Sequence, residues 1–561
     1  MSQTISPREA SATVRLADKI IRAGAIYSMA EDHKVYRSIA LRNEWIVAIS
    51  EDPHGLDGLI TDRTRVVDDL GLTILPAFDD THNHFVLGSE NLSLVAAERA
   101  HSIAELVEMI RQRAAHIPKG AWIRTSNAWH ESNLAERRLP TALELDQVSV
   151  DHPIWVKRGG HVGVGNSLAL KIAGITRETP DPPGGIIKHL PDGSPSGELL
   201  EAPAWSLVES LIPLQPFEER VQNLRQACQT YNSYGIGSLR DPIVTREQML
   251  VYQALRERGE MTLRSRPMFL IPRGSNADRM ADITSLGVRS GFGDDLLKIW
   301  GLKAVMDGGA AAAALDQPYV DESNFAGNLF WKVDELAEVA NFAVRRGWRI
   351  GTHAIGDRAV RTLLDAYEQV VNDNPGLKPG TLVIEHGFMI DATQRARAAR
   401  LGVGITVQHQ LLYSLGAQLL AKWGKERTSQ ITPIRALIEA GVQVSGGTDS
   451  TGTGEPPYDP MLGIWGMATR GTKHVGVQGL EYAIDRYTAV HIYTAGSAEL
   501  NWESHRRGTL QAGRLADLVA YRTNPITCPV DELLSLRPTF TMVGGRAVYD
   551  PETLFDQGGM L

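Results

Sequence analysis

"PAFDDTHNHF", Pro76–Phe85, sets two histidines one residue apart, His82 and His84, behind the apolar run Leu72-Thr73-Ile74-Leu75. Side chains at i and i+2 of an extended strand point to the same face. On that geometry both imidazoles converge on one point, as a pair of metal ligands must. A lone His-x-His is more often two solvated or hydrogen-bonded histidines in a loop. What the other strands carry at the same end decides between the two.

The chain of 561 residues is 43% hydrophobic and 22% charged, the composition of a soluble globular protein. Its length calls for two or three structural units. A net charge of −9, from 66 acidic and 57 basic residues, argues against a nucleic-acid partner. The two cysteines, Cys228 and Cys528, lie far apart, which excludes a disulfide framework and a Cys-rich zinc site. Any metal must then be held by His, Asp, Glu or Lys. The opening MSQTISPREASATV lacks the apolar stretch of a Sec signal, and no run reaches the length that spans a bilayer. The expectation is a cytoplasmic enzyme acting on a small molecule, without a membrane partner. Residues 1–13 read as a flexible arm, and the polar ends permit a homodimer.

Both ends of the chain carry short β-type runs broken by polar and Gly-containing stretches. Neither end alone offers enough strands for a stable sheet. Residues 14–72 and 506–561 therefore read as one composite β-sandwich, with 73–505 set between its halves. That middle alternates eight apolar runs with helix-like stretches: 73–78, 235–241, 263–271, 297–306, 348–354, 381–387, 403–408 and 442–447. The pattern is that of an α/β fold, a (β/α)8 TIM barrel. An open doubly-wound sheet is the competitor, but no Gly-x-Gly-x-x-Gly follows any strand. Residues 90–232 are too many for one crossover and read as an inserted subdomain.

Catalytic side chains of a barrel sit at the C-terminal ends of its strands. Here those ends carry His82 and His84, Lys303 in "GLKAVMDGG", His353 in "GTHAIGD", His386 in "VIEHG" and Asp449 in "GGTDS". Each alone is more often a buried, hydrogen-bonded core residue than a ligand. Together they converge on one mouth.

These motifs, with "PAFDDTHNHF", "HAIGDRAV" and "GTLQAGRLADLVAY", resemble the amidohydrolase superfamily, and within it the amidohydrolase-3 branch of YtcJ-like metal-dependent hydrolases. The resemblance covers about residues 14–550. It implies a distorted TIM barrel with a small β-sandwich and a site for one or two metal ions, usually Zn2+. Position by position, it implies that His82 and His84 bind the more buried ion and His353 and His386 the second. Asp449 would contact the first ion and the attacking water, and an N-carboxylated Lys303 would bridge both. The alternative for Lys303 is a plain lysine beside a single-metal site. The chain departs from the branch at Ala77, Asp79 and His409.

The implied reaction is hydrolysis of a C–N bond in an amide, formamide or cyclic amide, with Asp449 accepting and returning a proton. Ester or carbamate cleavage, a lyase or isomerase step, and a non-catalytic regulatory role are the alternatives. Asp80, Asp357 and Glu385 are candidates to orient the histidines. Trp129, Trp155, Trp300, Trp331, Tyr413, Trp423 and Trp465 offer aromatic lining for an apolar or aromatic substrate, though most tryptophans are simply core. Arg158 and His161 in the insert are candidate substrate contacts. Arg470 is a candidate anion clamp or a helix salt bridge.

Overall fold

A computed structural model of the chain describes residues 16–555, apart from 128, 130, 132–133, 160–161, 183–184 and 451–457. The arm at 1–13 and His161 lie outside the described residues.

Eight parallel strands form the central sheet. In chain order they are Phe78–Asp80, Ile236–Val244, Arg264–Leu270, Gly301–Val305, Ile350–Ala354, Leu382–His386, Gly404–Val407 and Val444–Gly446. Neighbours in sequence are neighbours in the sheet. The first and last strands approach each other through Thr81, whose N–H and hydroxyl both donate to the Gly446 carbonyl, at 2.9 and 2.8 Å. That contact makes the sheet a nearly closed barrel. Helices such as Val333–Val344 and Asp357–Asp373 bury Leu336, Val339, Ala340, Leu363, Leu364 and Tyr367 against it. Their apolar residues recur three and four positions apart, so one face meets the barrel and the other meets water.

The apolar run read as the opening of the first barrel strand belongs mostly to another sheet. Strand Arg65–Pro76 pairs with Lys19–Tyr27 on one side and Leu518–Tyr521 on the other. Alternation explains why one segment serves two cores. Leu72 and Ile74 enter the terminal sheet's core, while Leu75 enters the barrel's. Only Phe78–Asp80 pairs with the barrel.

That terminal sheet has seven strands, drawn from both ends of the chain. It curls so that strand Trp45–Ser50 meets the C-terminal segment: Ile46 N–H donates to Arg514 O and Ala516 N–H to Glu44 O, both at 2.8 Å. Ile21, Ile39, Ile46, Leu518, Phe540 and Met542 fill the space enclosed, which makes it a small β-sandwich. A separate five-stranded sheet within residues 123–200 forms the insert. Helix Phe217–Asn232 falls within the range read as insert, yet it buries Val221, Leu224 and Tyr231 in the barrel core.

Buried ion pairs tie barrel to sandwich. Arg264 on the third barrel strand grips Asp517 through two hydrogen bonds of 2.8 and 2.9 Å. Asp79, where the family resemblance has an apolar residue, accepts from Arg507 at 2.6 Å and from Asn501 at 2.9 Å. Removing one partner of such a pair strands the other charge away from water. Asp517→Ala is expected to cost about 3–5 kcal/mol of stability, read as a shifted urea midpoint. A loss under about 1 kcal/mol, the range of exposed pairs, would show that the junction does not depend on it.

Candidate metal centre

The site lies at the C-terminal mouth of the barrel. His82 and His84 are not on a strand, so i, i+2 alternation does not bring them together. A bend after Asp80 carries His82, and His84 stands at the N-cap of helix Phe85–Glu90. The returning chain holds the bend: Asp449 N–H donates to His82 O at 2.7 Å. Asp80 accepts from the Thr448 N–H at 2.9 Å, from its hydroxyl at 2.5 Å and from Asn83 at 2.7 Å. Gly447 permits the approach, because a Cβ there would lie 2.7 Å from His82 N.

Hydrogen bonds set the orientation of each ring. His82 Nδ1 lies 2.6 Å from a Glu385 oxygen, so the proton sits on Nδ1 and the Nε2 lone pair is free. His84 Nδ1 faces the Pro242 carbonyl at 3.1 Å, which frees its Nε2 as well. Both Nε2 atoms look at Asp449 Oδ1, at 3.6 and 3.2 Å. These three ligand atoms lie within 4.8 Å of one another. His82 Nε2 and Asp449 Oδ1 are buried without a hydrogen-bond partner. Electron-rich atoms facing one another with no proton to share are stabilised by a cation, and a His-His-Asp donor set suits a divalent one.

The second pair of histidines adjoins the first. The His386 ring packs 4.6 Å from that of His82 and 4.6 Å from that of His353. Gln408 Oε1 lies 2.7 Å from His386 Nδ1, leaving Nε2 free. His353 Nε2 faces the Gly308 carbonyl at 3.2 Å, leaving Nδ1 free. His386 and Asp449 hold φ of 77° and 54°, the left-handed region that side chains rarely adopt and that clusters at functional sites. Lys303 is buried in the fourth strand, where its backbone carbonyl accepts from the Ile271 N–H at 2.8 Å, while its side-chain ammonium has no hydrogen-bond or ion-pair partner among the described residues. Burial brings its ammonium down to about 8, against the opposing pull of Glu385 and Asp449.

Electrostatics agree with ligand duty. Burial, helped by the Lys303 charge, pushes His82 down to about 4 and His353 down to about 3. Burial drives His386 well below the usual imidazole value. Burial acts to raise the Asp449 carboxyl, but His82, His84 and His386 outweigh it and hold it well below the carboxylate range. At neutral pH the three depressed imidazoles are uncharged and their lone pairs available. Access to solvent remains through Asp449, His84 and His353, whose side chains are 16%, 14% and 17% exposed.

The other sequence candidates divide. Of the proposed orienting acids, Glu385 touches an imidazole. Asp80 binds the two loops together, and Asp357 accepts the Asp316 N–H at 2.8 Å beside a helix start. Arg470 is neither an anion clamp nor a salt bridge. It is buried and donates to the carbonyls of Gln478, Thr432 and Ile431. Trp129 is in the insert core, its indole N–H donating to Lys157 O at 2.7 Å. Arg158 pairs with Glu131 at 2.8 Å within the insert. Tyr413 packs edge-on against Trp465, with ring centroids 5.8 Å apart. Trp155, Trp300, Trp331 and Trp423 are buried core residues. Sequence reasoning missed Gln408, Thr406, Arg240 and Asp307. Asp307 accepts N–H bonds from Ala314, Ile355 and Gly356, pinning the loops around His353. Its signal was the "MDGG" directly after the fourth strand.

The amidohydrolase family model matches residues 65–549. The chain belongs to the amidohydrolase family. It is 28% identical over 510 residues to an N-substituted formamide deformylase of Arthrobacter pascens, covering 88% of this chain and 91% of that one. It is 25% identical over 548 residues to YtcJ of Bacillus subtilis (strain 168), covering 95% and 99%. The crystal structure of an uncharacterized metal-dependent hydrolase from Pyrococcus furiosus has the same fold, with a TM-score of 0.73 and 24% identity over 91% of this chain and 100% of that chain. No helix among the described residues of this amidohydrolase is long and apolar enough to cross a membrane.

The depressed imidazoles give a pH signature to the metal-free amidohydrolase. Below about pH 6.5 an unfolded His takes a proton, while folded His82 stays neutral down to about 4 and His353 to about 3. The unfolded state binds more protons in that window, so stability must fall as pH drops from about 6.5 to about 4. Melting of chelator-treated protein checks this. His82→Asn should flatten part of the slope, and an unchanged slope would contradict the assignment.

Proposed function

We propose that this amidohydrolase cleaves C–N bonds of small amides, formamides or cyclic amides with a metal-activated water. The observation that carries the reading is the convergence of the His82, His84 and Asp449 donor atoms, with His82 Nε2 and Asp449 Oδ1 buried and unpartnered. A divalent ion held there supplies two effects: it lowers the pKa of water toward about 7 and polarises a carbonyl oxygen. We take the ion to be Zn2+, which suits imidazole and carboxylate donors, and the setting to be cytoplasmic.

This chain's residues do the rest. Asp449, partly exposed and ionised, accepts the proton of the attacking water and returns it to the leaving nitrogen as the C–N bond breaks. Glu385, Gln408 and the Pro242 carbonyl keep the rings of His82, His386 and His84 in the tautomers that leave one nitrogen free. An ammonium has no lone pair to offer a cation. Lys303, buried, unpartnered and lowered to about 8, is suited to take up carbon dioxide as a carbamate. The carbamate would then add an anionic oxygen donor beside His82, His84, His353 and His386 for a divalent ion held there. The deformylase likeness makes N-substituted formamides the first substrates to offer.

Metal content per chain, measured without chelators, should be about two ions if Lys303 is carboxylated and about one if it is not. Asp449→Ala should lower formate release from a formamide panel by about 10^2–10^4-fold with the fold retained. Full activity in that variant, or a chain that takes up no metal when offered it, would overturn the reading.

A further inference from the structure

Below the site, a column of alternating cations and indoles runs from buried Arg240, Trp300 and Arg349 in the barrel interior out to half-buried Trp502 and exposed Lys378 at its floor. Trp300, directly before the fourth strand, packs with Met268 and Val383 in the lower part of the barrel. Arg349 stacks on one side of it, with its guanidinium carbon 3.9 Å from the ring centroid. Arg240, on the second strand, stacks at 4.3 Å. Arg349 also lies 4.0 Å from the Trp502 ring, whose own face carries Lys378 at 4.0 Å. Arg349 is anchored to the floor by donating to the carbonyls of Gly380 and Leu500.

The upper end of this column reaches the machinery of His82 at two points. Arg240 Nε donates to the carbonyl of Thr81, the residue before His82, at 2.6 Å. One terminal nitrogen of Arg240 donates to Glu385 at 2.7 Å, on the same oxygen that receives His82 Nδ1. Thr406 donates to that oxygen too, at 2.8 Å, and Gln408 joins Thr406 to the His386 ring. Arg240 is fully buried, and its remaining terminal nitrogen has no partner. A charge needed only to offset Glu385 would not require a planar fork pressed against an indole, since Arg and Lys differ chiefly in that fork and its stacking.

We propose that Arg240, held over the face of Trp300, is a positioning residue for the metal centre: it fixes the Glu385 carboxylate and the Thr81 carbonyl so that His82 keeps its proton on Nδ1 and aims Nε2 at the site. Arg349, Trp502 and Lys378 brace it from the barrel floor. The inference rests on the metal-site reading above but not on the substrate.

Two measurements on the full chain test it, and neither reads turnover. Chelator competition with Zn2+ gives the metal affinity. Nitrogen-15 NMR of labelled histidine in the metal-free protein gives the His82 tautomer, its signal identified by loss in His82→Gln. Arg240→Met should weaken Zn2+ binding about 10–100-fold, the usual cost of losing an outer partner of a ligand, and populate the Nε2–H tautomer of His82. Arg240→Lys, keeping the charge but not the fork, should recover only part of either effect. Trp300→Leu should act in the same direction more weakly, with Trp300→Phe restoring the wild-type values, and this pair serves if Arg240→Met does not fold. Unchanged affinity and tautomer in Trp300→Leu and Arg240→Lys would overturn the proposal, as would lower thermal stability with both readouts intact. A wild-type chain that binds metal and hydrolyses nothing would sink the hydrolase reading and leave this one standing.

Discussion

The hydrogen bond between His82 and Glu385 is the contact on which the rest of the site is built. A neutral imidazole can be a ligand through one nitrogen only if the other keeps the proton. Glu385 keeps it on Nδ1, but a carboxylate buried in a barrel needs compensation of its own. Arg240, Thr406 and His82 all point to one Glu385 oxygen, and their joint donation makes the buried charge tolerable. Gly351 is part of the same arrangement, because a Cβ there would lie 2.1 Å from the other Glu385 oxygen. Strands two, five, six and seven thus contribute to one proton position.

Closure of the barrel is the second half of the constraint. His82 and Asp449 belong to the loops after the first and last strands, so they meet only if the sheet closes. Thr81 on Gly446 and Asp80 on Thr448 make that closure local to the site. The sandwich lends support from beneath: Asp79 at the foot of the first strand is held by Arg507 from the C-terminal segment. A short strand of three residues can then be placed accurately, although its own ladder offers few hydrogen bonds.

Much of the site was legible because strand periodicity and chain punctuation are local. The runs at 350–354, 382–386 and 444–446 are short and followed within two residues by Gly, and each carries its His or Asp in or just after the strand end where barrel chemistry sits. The error at 73–78 has an equally local origin. Both sandwich and barrel want an apolar strand, and nothing in Leu72–Leu75 says where one sheet stops. Arg240 was passed over because a charge inside an apolar run carries no mark of its partner. Glu385 drew notice only through its neighbour His386.

From sequence alone came the order of the strands, the composite end domain, the identity of the candidate ligands and, through resemblance, the family. These follow from residue type and spacing, which act over a few positions along the chain. Tertiary structure alone decided which sheet the opening run serves and that His82 and His84 converge through a bend instead of a strand. It also decided which nitrogen of each ring is free and what lies beneath the site. Those depend on hydrogen bonds and stacking between residues such as His82, Arg240, Trp300 and Glu385. They are distant in sequence and become neighbours only when the barrel closes.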